Sequence, residues 1–92
     1  MNKETQLSLL KIDLQISTDK LDTYLSAMLD GAAAAIAREN IKLSDTEEDG
    51  MLIVQYAAYL YRKRREQDTA MPRYLRWMLN NRKIGEEGRS DG

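Results

Sequence analysis

The chain has no cysteine and no histidine among its 92 residues, no phenylalanine and a single proline. Without cysteine, neither a disulfide scaffold nor a thiolate zinc site can form. Without histidine, the chain lacks the usual general base and the commonest metal ligand of proteins. Most enzyme classes are thereby excluded, and we expect no catalytic residue, no cofactor and no bound metal.

Long apolar runs and glycine-rich loops are also missing. The longest stretch without a charged residue runs from Met51 to Tyr61, whereas a helix that spans a bilayer needs about 20 apolar residues. The N-terminus lacks the charged-then-apolar layout of a signal peptide. The 5 glycines are scattered singly, so no phosphate-binding loop is present. We expect a soluble protein made in the cytoplasm, with no membrane partner.

What remains favours helices. Alanine occurs 9 times, whereas valine and isoleucine together occur only 7 times, and scarce β-branched residues disfavour strands. Apolar residues recur with the helical period over 4–13, 19–39, 46–67 and 72–84. We therefore predict an all-α fold: a compact bundle of about four helices around a central, long antiparallel hairpin of the second and third. Residues 1–85 would form one domain, and residues 86–92 a disordered tail after a stop at Gly85.

The helical stripes also predict the core. The third helix is apolar around almost its whole girth, so it lies either at the centre of the monomer or between the core and a partner. The predicted core residues are Leu21, Leu25, Met28, Leu29, Ile36, Leu52, Tyr56, Leu60, Leu75, Met78 and Leu79.

Cap signals set the helix boundaries. Ser17, Thr18 and Asp19 form a cluster of N-cap residues before the second helix, and Asn40 is a plausible stop after it. Ser44 and Glu47 have the spacing of a capping box at the start of the third helix. The run from Asp45 to Gly50 also resembles the start of a calcium loop, but the twelfth position is Tyr56 rather than glutamate. We favour the acidic helix start over the calcium site.

Charge is unevenly distributed along the chain. Residues 1–50 carry 5 basic and 10 acidic side chains, whereas residues 51–92 carry 9 basic and 5 acidic ones. Opposed halves in a nearly neutral chain favour head-to-tail self-association over general binding of nucleic acid. We therefore expect reversible, heterologous, ring-forming self-association.

A basic run closes the third helix at Arg62, Lys63, Arg64 and Arg65. Its members point all round the helix, which is typical of a solvated helix end that complements the dipole. A partner-facing or DNA-facing role remains the alternative. The fourth helix also offers candidate base-reading side chains, as in a helix-turn-helix protein: Arg73, Arg76, Asn80, Asn81 and Arg82.

The single tryptophan lies off the core-facing side of the fourth helix. Leu75, Met78 and Leu79 define that side, and Trp77 points roughly 150° away from it, beside Tyr74. Trp77 belongs either to a second core layer or to an interface, where tryptophan and arginine are enriched. We predict that Trp77 is at least partly exposed in the monomer and becomes buried in an assembly.

The order of these segments resembles a known family. The relevant stretches are Leu9 to Ile16, Leu21 to Leu29 followed by an alanine run, Val54 to Arg64, and Met71-Pro72 with a helix ending at Arg82. The most specific part is the Tyr-Ala-Ala-Tyr-Leu-Tyr-Arg segment followed by Met-Pro. Over about residues 5–84 the chain resembles the small head–tail connector, or adaptor, proteins of long-tailed phages and prophages, often labelled DNA-packaging proteins.

The resemblance implies a structural virion protein without catalytic residues or cofactor. Subunits of this kind form a homo-oligomeric ring beneath the portal protein, extend the channel through which packaged DNA passes without sequence-specific reading, and receive the next connector or tail component. The implied location is the head–tail junction, after assembly in the host cytoplasm.

The segment implied to dock to the portal maps to Arg73 through Lys83 and the tail. The expected partner-facing residues are Arg73, Tyr74, Trp77, Arg76, Arg82 and Lys83, and the basic run 62–65 could line the channel. The alternative is a small phage-encoded helical DNA-binding or regulatory protein.

Overall fold

Four helices form the fold in a computed structural model that describes residues 1–90, with side chains described through residue 85. They are α1 (Lys3–Leu14), α2 (Asp22–Arg38), α3 (Glu47–Arg65) and α4 (Arg73–Ser90). No strand occurs within residues 1–90. The predicted all-α bundle is therefore confirmed. No helix in the described part of the chain is long and apolar enough to cross a membrane.

Side-chain contacts at the helix ends give the directions of the first three helices. Tyr24, near the start of α2, meets Tyr61, near the end of α3, with ring centroids 6.2 Å apart. The two helices are therefore antiparallel, as the hairpin prediction requires. The Arg62 guanidinium near the end of α3 donates to the Asp13 carboxylate near the end of α1 at 3.1 Å, so α1 runs parallel to α3.

The core is one cluster to which all four helices contribute. α3 lies at its centre, because residues on several sides of this helix are buried. The sequence left open whether α3 is central or shared with a partner, and the structure places it at the centre of the monomer. Ile41, in the link between α2 and α3, is also buried. The buried cluster consists of Leu10, Leu25, Leu29, Ala32, Ile36, Ile41, Leu52, Val54, Tyr56, Ala57, Ala58, Tyr59, Leu75 and Leu79.

Four of the predicted core residues lie at the edge of this cluster rather than inside it. Leu21, Met28, Leu60 and Met78 are partly buried and pack against it. Leu21 precedes the first turn of α2 as its N-cap residue, and all four side chains are only partly covered by their neighbours.

The helix starts differ from the predicted ones. The N-cap of α3 is Thr46, whose hydroxyl accepts a hydrogen bond from the Asp49 N–H at 3.1 Å, so the capping box predicted at Ser44 and Glu47 is wrong. α2 begins only at Asp22, because the Thr18 hydroxyl accepts from the Lys20 N–H at 3.2 Å and forms a turn instead of capping the helix.

Of the two predicted helix ends, the one at Asn40 is confirmed and the one at Gly85 is wrong. Asn40 adopts φ 65° after α2, so the predicted stop is confirmed. α4 passes through Gly85, where the sequence predicts its end, and Gly85 does not take the positive φ that commonly ends a helix at glycine. The helix therefore covers residues 86–90 of the predicted disordered tail, and residues 91–92 lie outside the described part of the chain.

A candidate docking surface on the last helix

α4 is held to the body by two leucines and a set of ion pairs. Leu75 and Leu79 are fully buried against the core. Arg76 donates from Nη1 and Nη2 to Oε1 and Oε2 of Glu39, at 2.9 and 3.0 Å. Lys83 Nζ lies 3.5 Å from the same carboxylate. These contacts attach the inner side of α4 to the end of α2.

A second attachment links α4 to the start of α3. The Arg82 guanidinium pairs with the Asp49 carboxylate and donates to the Lys42 carbonyl at 2.8 Å. The other oxygen of Asp49 accepts from the Ser44 N–H at 2.7 Å and from the Ser44 hydroxyl at 3.0 Å. Asp49 is only 2% exposed, so this carboxylate joins the link, α3 and α4 at a buried point.

Both carboxyl groups are held in the charged form. The hydrogen bonds from Arg76 lower the pKa of Glu39 below its ordinary value, against the opposing effect of partial burial. Burial acts to raise the pKa of Asp49, but the Ser44 N–H and the Arg82 guanidinium outweigh it, so the pKa of Asp49 is also lowered. Arg76, Arg82 and Lys83 are therefore matched by stable anions of the body.

Within residues 73–85, the opposite side of α4 makes no such ion pairs. Tyr74 is 57% exposed, Trp77 64% and Ile84 67%, and Asn81 is exposed between them. At 100° per residue these four positions fall within an arc of about 80°. We call Tyr74, Trp77, Asn81 and Ile84 the outer face of α4. The possibility that Trp77 belongs to a second core layer is thereby wrong.

A cleft opens directly beside Trp77. It has a volume of about 240 Å³ and lies between α4 and the first turns of α3. Its lining consists of Glu48, Leu52, Trp77, Met78, Asn81 and Arg82. Large apolar side chains exposed next to a concave site are typical of protein interaction surfaces.

The structure divides the predicted partner-facing residues into two groups. Arg73, Tyr74 and Trp77 are exposed. Arg76, Arg82 and Lys83 instead make the ion pairs that hold α4 to the body. The sequence could not separate these groups, because their carboxylate partners lie far away along the chain.

The same ion pairs change the interpretation of the two charged halves. Arg62, Arg76, Arg82 and Lys83 of the basic half pair with Asp13, Glu39 and Asp49 of the acidic half within one chain. These four cations and three carboxylates are therefore matched inside the monomer rather than between subunits. Together with the central place of α3, this leaves the outer face of α4 as the stronger argument for assembly.

The basic run at the end of α3 lies against tyrosine rings. Lys63 Nζ lies 5.6 Å from the Tyr59 ring centroid. The Arg64 guanidinium carbon lies 5.9 Å from the Tyr24 centroid, and that of Arg65 lies 5.8 Å from the Tyr61 centroid. All four cations are exposed, and cation–π contacts of this kind keep their charges at the surface.

The acidic segment at the start of α3 is a capped helix N-terminus. Asp45 accepts from the amino group of Met1 at 3.0 Å, and Asp49 points toward Ser44 and Arg82. The carboxylates therefore face different partners. Among the described residues, no group of three or more His, Cys, Asp or Glu side chains is arranged to hold a metal ion.

The base-reading alternative keeps three of its five side chains exposed, Arg73, Asn80 and Asn81, and loses the other two. Arg76 and Arg82 are engaged by Glu39 and Asp49, and α3 is enclosed by the other helices. A recognition helix needs free polar side chains along the groove-facing side. On α4 that side carries Tyr74, Trp77 and Ile84 instead.

Comparisons with protein-family models, with curated proteins and with solved structures found no match for this chain.

Proposed function

We propose that this chain is a head–tail connector subunit of a long-tailed phage or prophage. In this role it forms a ring beneath the portal, extends the DNA channel and receives the next connector or tail protein. It acts as a structural virion protein at the head–tail junction, and it assembles in the host cytoplasm. Packaged DNA passes through the ring without sequence-specific reading.

The outer face of α4 is the observation that carries this proposal. The segment that the resemblance assigns to portal docking, Arg73 through Lys83, includes the exposed aromatic residues Tyr74 and Trp77. Its inner side is pinned by Glu39 and Asp49. A rigidly held helix that presents tryptophan, tyrosine and arginine has the composition of an interface hot spot.

The helical bundle fits the same role. Connector subunits of the family that the chain resembles are helical, and their work is done by surfaces rather than by catalytic groups. In this chain, α4 adds an exposed face to a bundle whose central helix is already enclosed. The exposed cations of the run 62–65 supply a surface that could face the channel.

The direct test is electron microscopy of the purified chain mixed with the portal protein from the same phage genome. The proposal predicts a ring of added density on one end of the portal. Trp77→Ala should abolish this density, whereas Ile12→Ala should not, because Ile12 is 72% exposed on α1, away from α4. An undecorated portal at saturating wild-type chain would contradict the proposal.

A DNA-binding or regulatory role is separated by a second measurement. Binding to phosphates depends strongly on salt, because each neutralised phosphate releases counterions. A salt-dependent shift of duplex DNA at micromolar chain, with no binding to the portal, would favour that alternative. Removing the charges of Arg64 and Arg65 should then abolish the shift.

A further inference from the structure

The outer face of α4 has the spacing of a helix-pairing seam. Tyr74, Trp77, Asn81 and Ile84 follow one another at steps of three, four and three residues. This alternation is the heptad pattern by which two helices pack side by side. A polar Asn among apolar seam positions commonly specifies the register of such a pair.

The cleft beside Trp77 supplies a receptor for an aromatic ring. Its lining includes the apolar side chains of Leu52 and Met78 and two side chains that carry acceptor oxygens, Glu48 and Asn81. An indole ring needs apolar contact for its faces and an acceptor for its N–H. The cleft and Trp77 thus lie side by side on one surface and have complementary chemistry.

We propose that two copies of this chain pair antiparallel through the outer face of α4, each placing Trp77 in the cleft of the other. Tyr74 then lies opposite the partner's Ile84, and Trp77 lies opposite the partner's Asn81, which accepts from the indole N–H. The contact is isologous, since the same surface is used on both copies. This pairing does not depend on the connector role, and because both use the outer face of α4, pairing and portal docking exclude each other.

The exposed charge of Arg73 favours antiparallel over parallel pairing of the two α4 helices. Arg73 is exposed at one end of the outer face and, among the described residues, has no ion pair or hydrogen bond. A parallel pair would place the two Arg73 side chains against each other. In the antiparallel register they are separated by roughly 18 Å, at 1.5 Å per residue. The cations Arg76, Arg82 and Lys83 are already matched by Glu39 and Asp49.

The surface area buried between the two copies indicates how tightly they bind. Tyr74, Trp77 and Ile84 each expose more than half of their surface, which amounts to on the order of 400 Å² per copy. The pair therefore buries about 800 Å² from these side chains, below the roughly 1,200 Å² at which stable interfaces begin. The dimer is weak and reversible, with a dissociation constant in the micromolar range or above.

Sedimentation equilibrium of the purified chain, from about 1 μM to 1 mM, tests the pairing. We expect a monomer–dimer equilibrium whose dissociation constant rises about 30-fold or more in Trp77→Ala. Ile12→Ala should leave that constant unchanged. A strict monomer at 1 mM, closed rings in place of dimers, or a dimer indifferent to Trp77→Ala would each overturn the proposal.

Cysteine pairing tests the direction, because the natural chain has no cysteine. Tyr74→Cys and Ile84→Cys are made as separate variants, mixed and oxidised by air. In an equimolar mixture random collision gives about twice as many mixed dimers as either self-linked species, so the antiparallel register predicts a clearly larger excess of mixed disulfide-linked dimers than this. Self-linked Tyr74→Cys dimers in excess would overturn the register. Ile12→Cys serves as the control for random collision, and circular dichroism confirms that each variant is folded.

Failure of this pairing and failure of the connector role are distinguishable. A chain that stays monomeric alone but decorates the portal contradicts only the pairing. A chain that pairs as described but leaves the portal bare at concentrations below the dimer dissociation constant, where the outer face of α4 is free, contradicts only the connector role.

Discussion

Arg76 of α4 and Glu39 at the end of α2 form a two-point ion pair, with N···O distances of 2.9 and 3.0 Å. The two residues are far apart in sequence, yet this contact sets how α4 lies on the bundle. With Leu75 and Leu79 buried below it, the pair turns Trp77 and Tyr74 outward.

Breaking this pair should loosen α4 without unfolding the core. Arg76→Gln or Glu39→Gln should lower the free energy of unfolding by about 1 kcal/mol, since the guanidinium is partly exposed and water screens the pair. A urea double-mutant cycle measures the coupling. The same cycle on Lys3 and Asp30, an exposed pair between α1 and α2, is the control and should give a smaller coupling energy. Equal couplings would contradict a special role for Arg76.

Stability should fall in acid because of Glu39 and Asp49. The pKa of each is lower in the folded chain than its ordinary value, so folding favours the charged form. Their contribution is fully present above about pH 5 and is lost as the pH falls through the ordinary carboxyl range near 4 and on through the lowered folded values. Urea midpoints between pH 7 and 3 measure this loss. In Glu39→Gln the decline should be shallower, and an unchanged slope would contradict the assignment.

The sequence predicts a capping box of Ser44 and Glu47 at the start of α3, whereas the structure has Thr46 as the N-cap, and two variants distinguish these alternatives. Thr46→Ala should cost about 1 kcal/mol, because its hydroxyl satisfies the Asp49 N–H. Glu47→Ala should be nearly neutral, since the side chain is exposed and its ion pair within the described part of the chain is a long one, to the Met1 amino group at 3.9 Å. Thermal unfolding of both variants gives the comparison. A larger loss in Glu47→Ala would restore the capping box at Ser44.

Much of the fold could be predicted from periodicity, and the exceptions have physical causes. Leu25, Leu29, Leu75 and Leu79 lie on helical stripes that depend only on local spacing, and they are buried as predicted. The start of α2 was predicted too early because Thr18 forms a turn with Lys20. A residue such as Thr18 can either cap a helix or form a turn, so tertiary packing determines which of the two local structures occurs.

The candidate surface was predictable in part. The position of Trp77 off the stripe of Leu75 indicated its exposure. The roles of Arg76 and Arg82 depend on Glu39 and Asp49, which reach them only through the tertiary fold. No spacing rule connects residues that are separated by more than 30 positions, so the sequence alone grouped structural cations with exposed ones.

Leu75 and Trp77 should respond to truncation in opposite ways. Leu75→Ala should destabilise the monomer by about 2–5 kcal/mol, because it leaves a cavity in the core. Trp77→Ala should change the unfolding free energy by less than about 0.5 kcal/mol, since the side chain is mostly exposed. Urea unfolding of dilute protein checks both. A large loss in Trp77→Ala would place this residue in the core.

The central claim, that the outer face of α4 is the assembly surface, is tested most directly by the emission of the single tryptophan. Trp77 is 64% exposed, so a dilute sample verified as monomer by ultracentrifugation should emit at the long wavelength typical of a solvated indole. Emission should shift to the blue as the chain assembles, either at higher concentration or on portal protein. Blue-shifted emission in the verified monomer, or assembly that leaves the emission unchanged, would contradict the account.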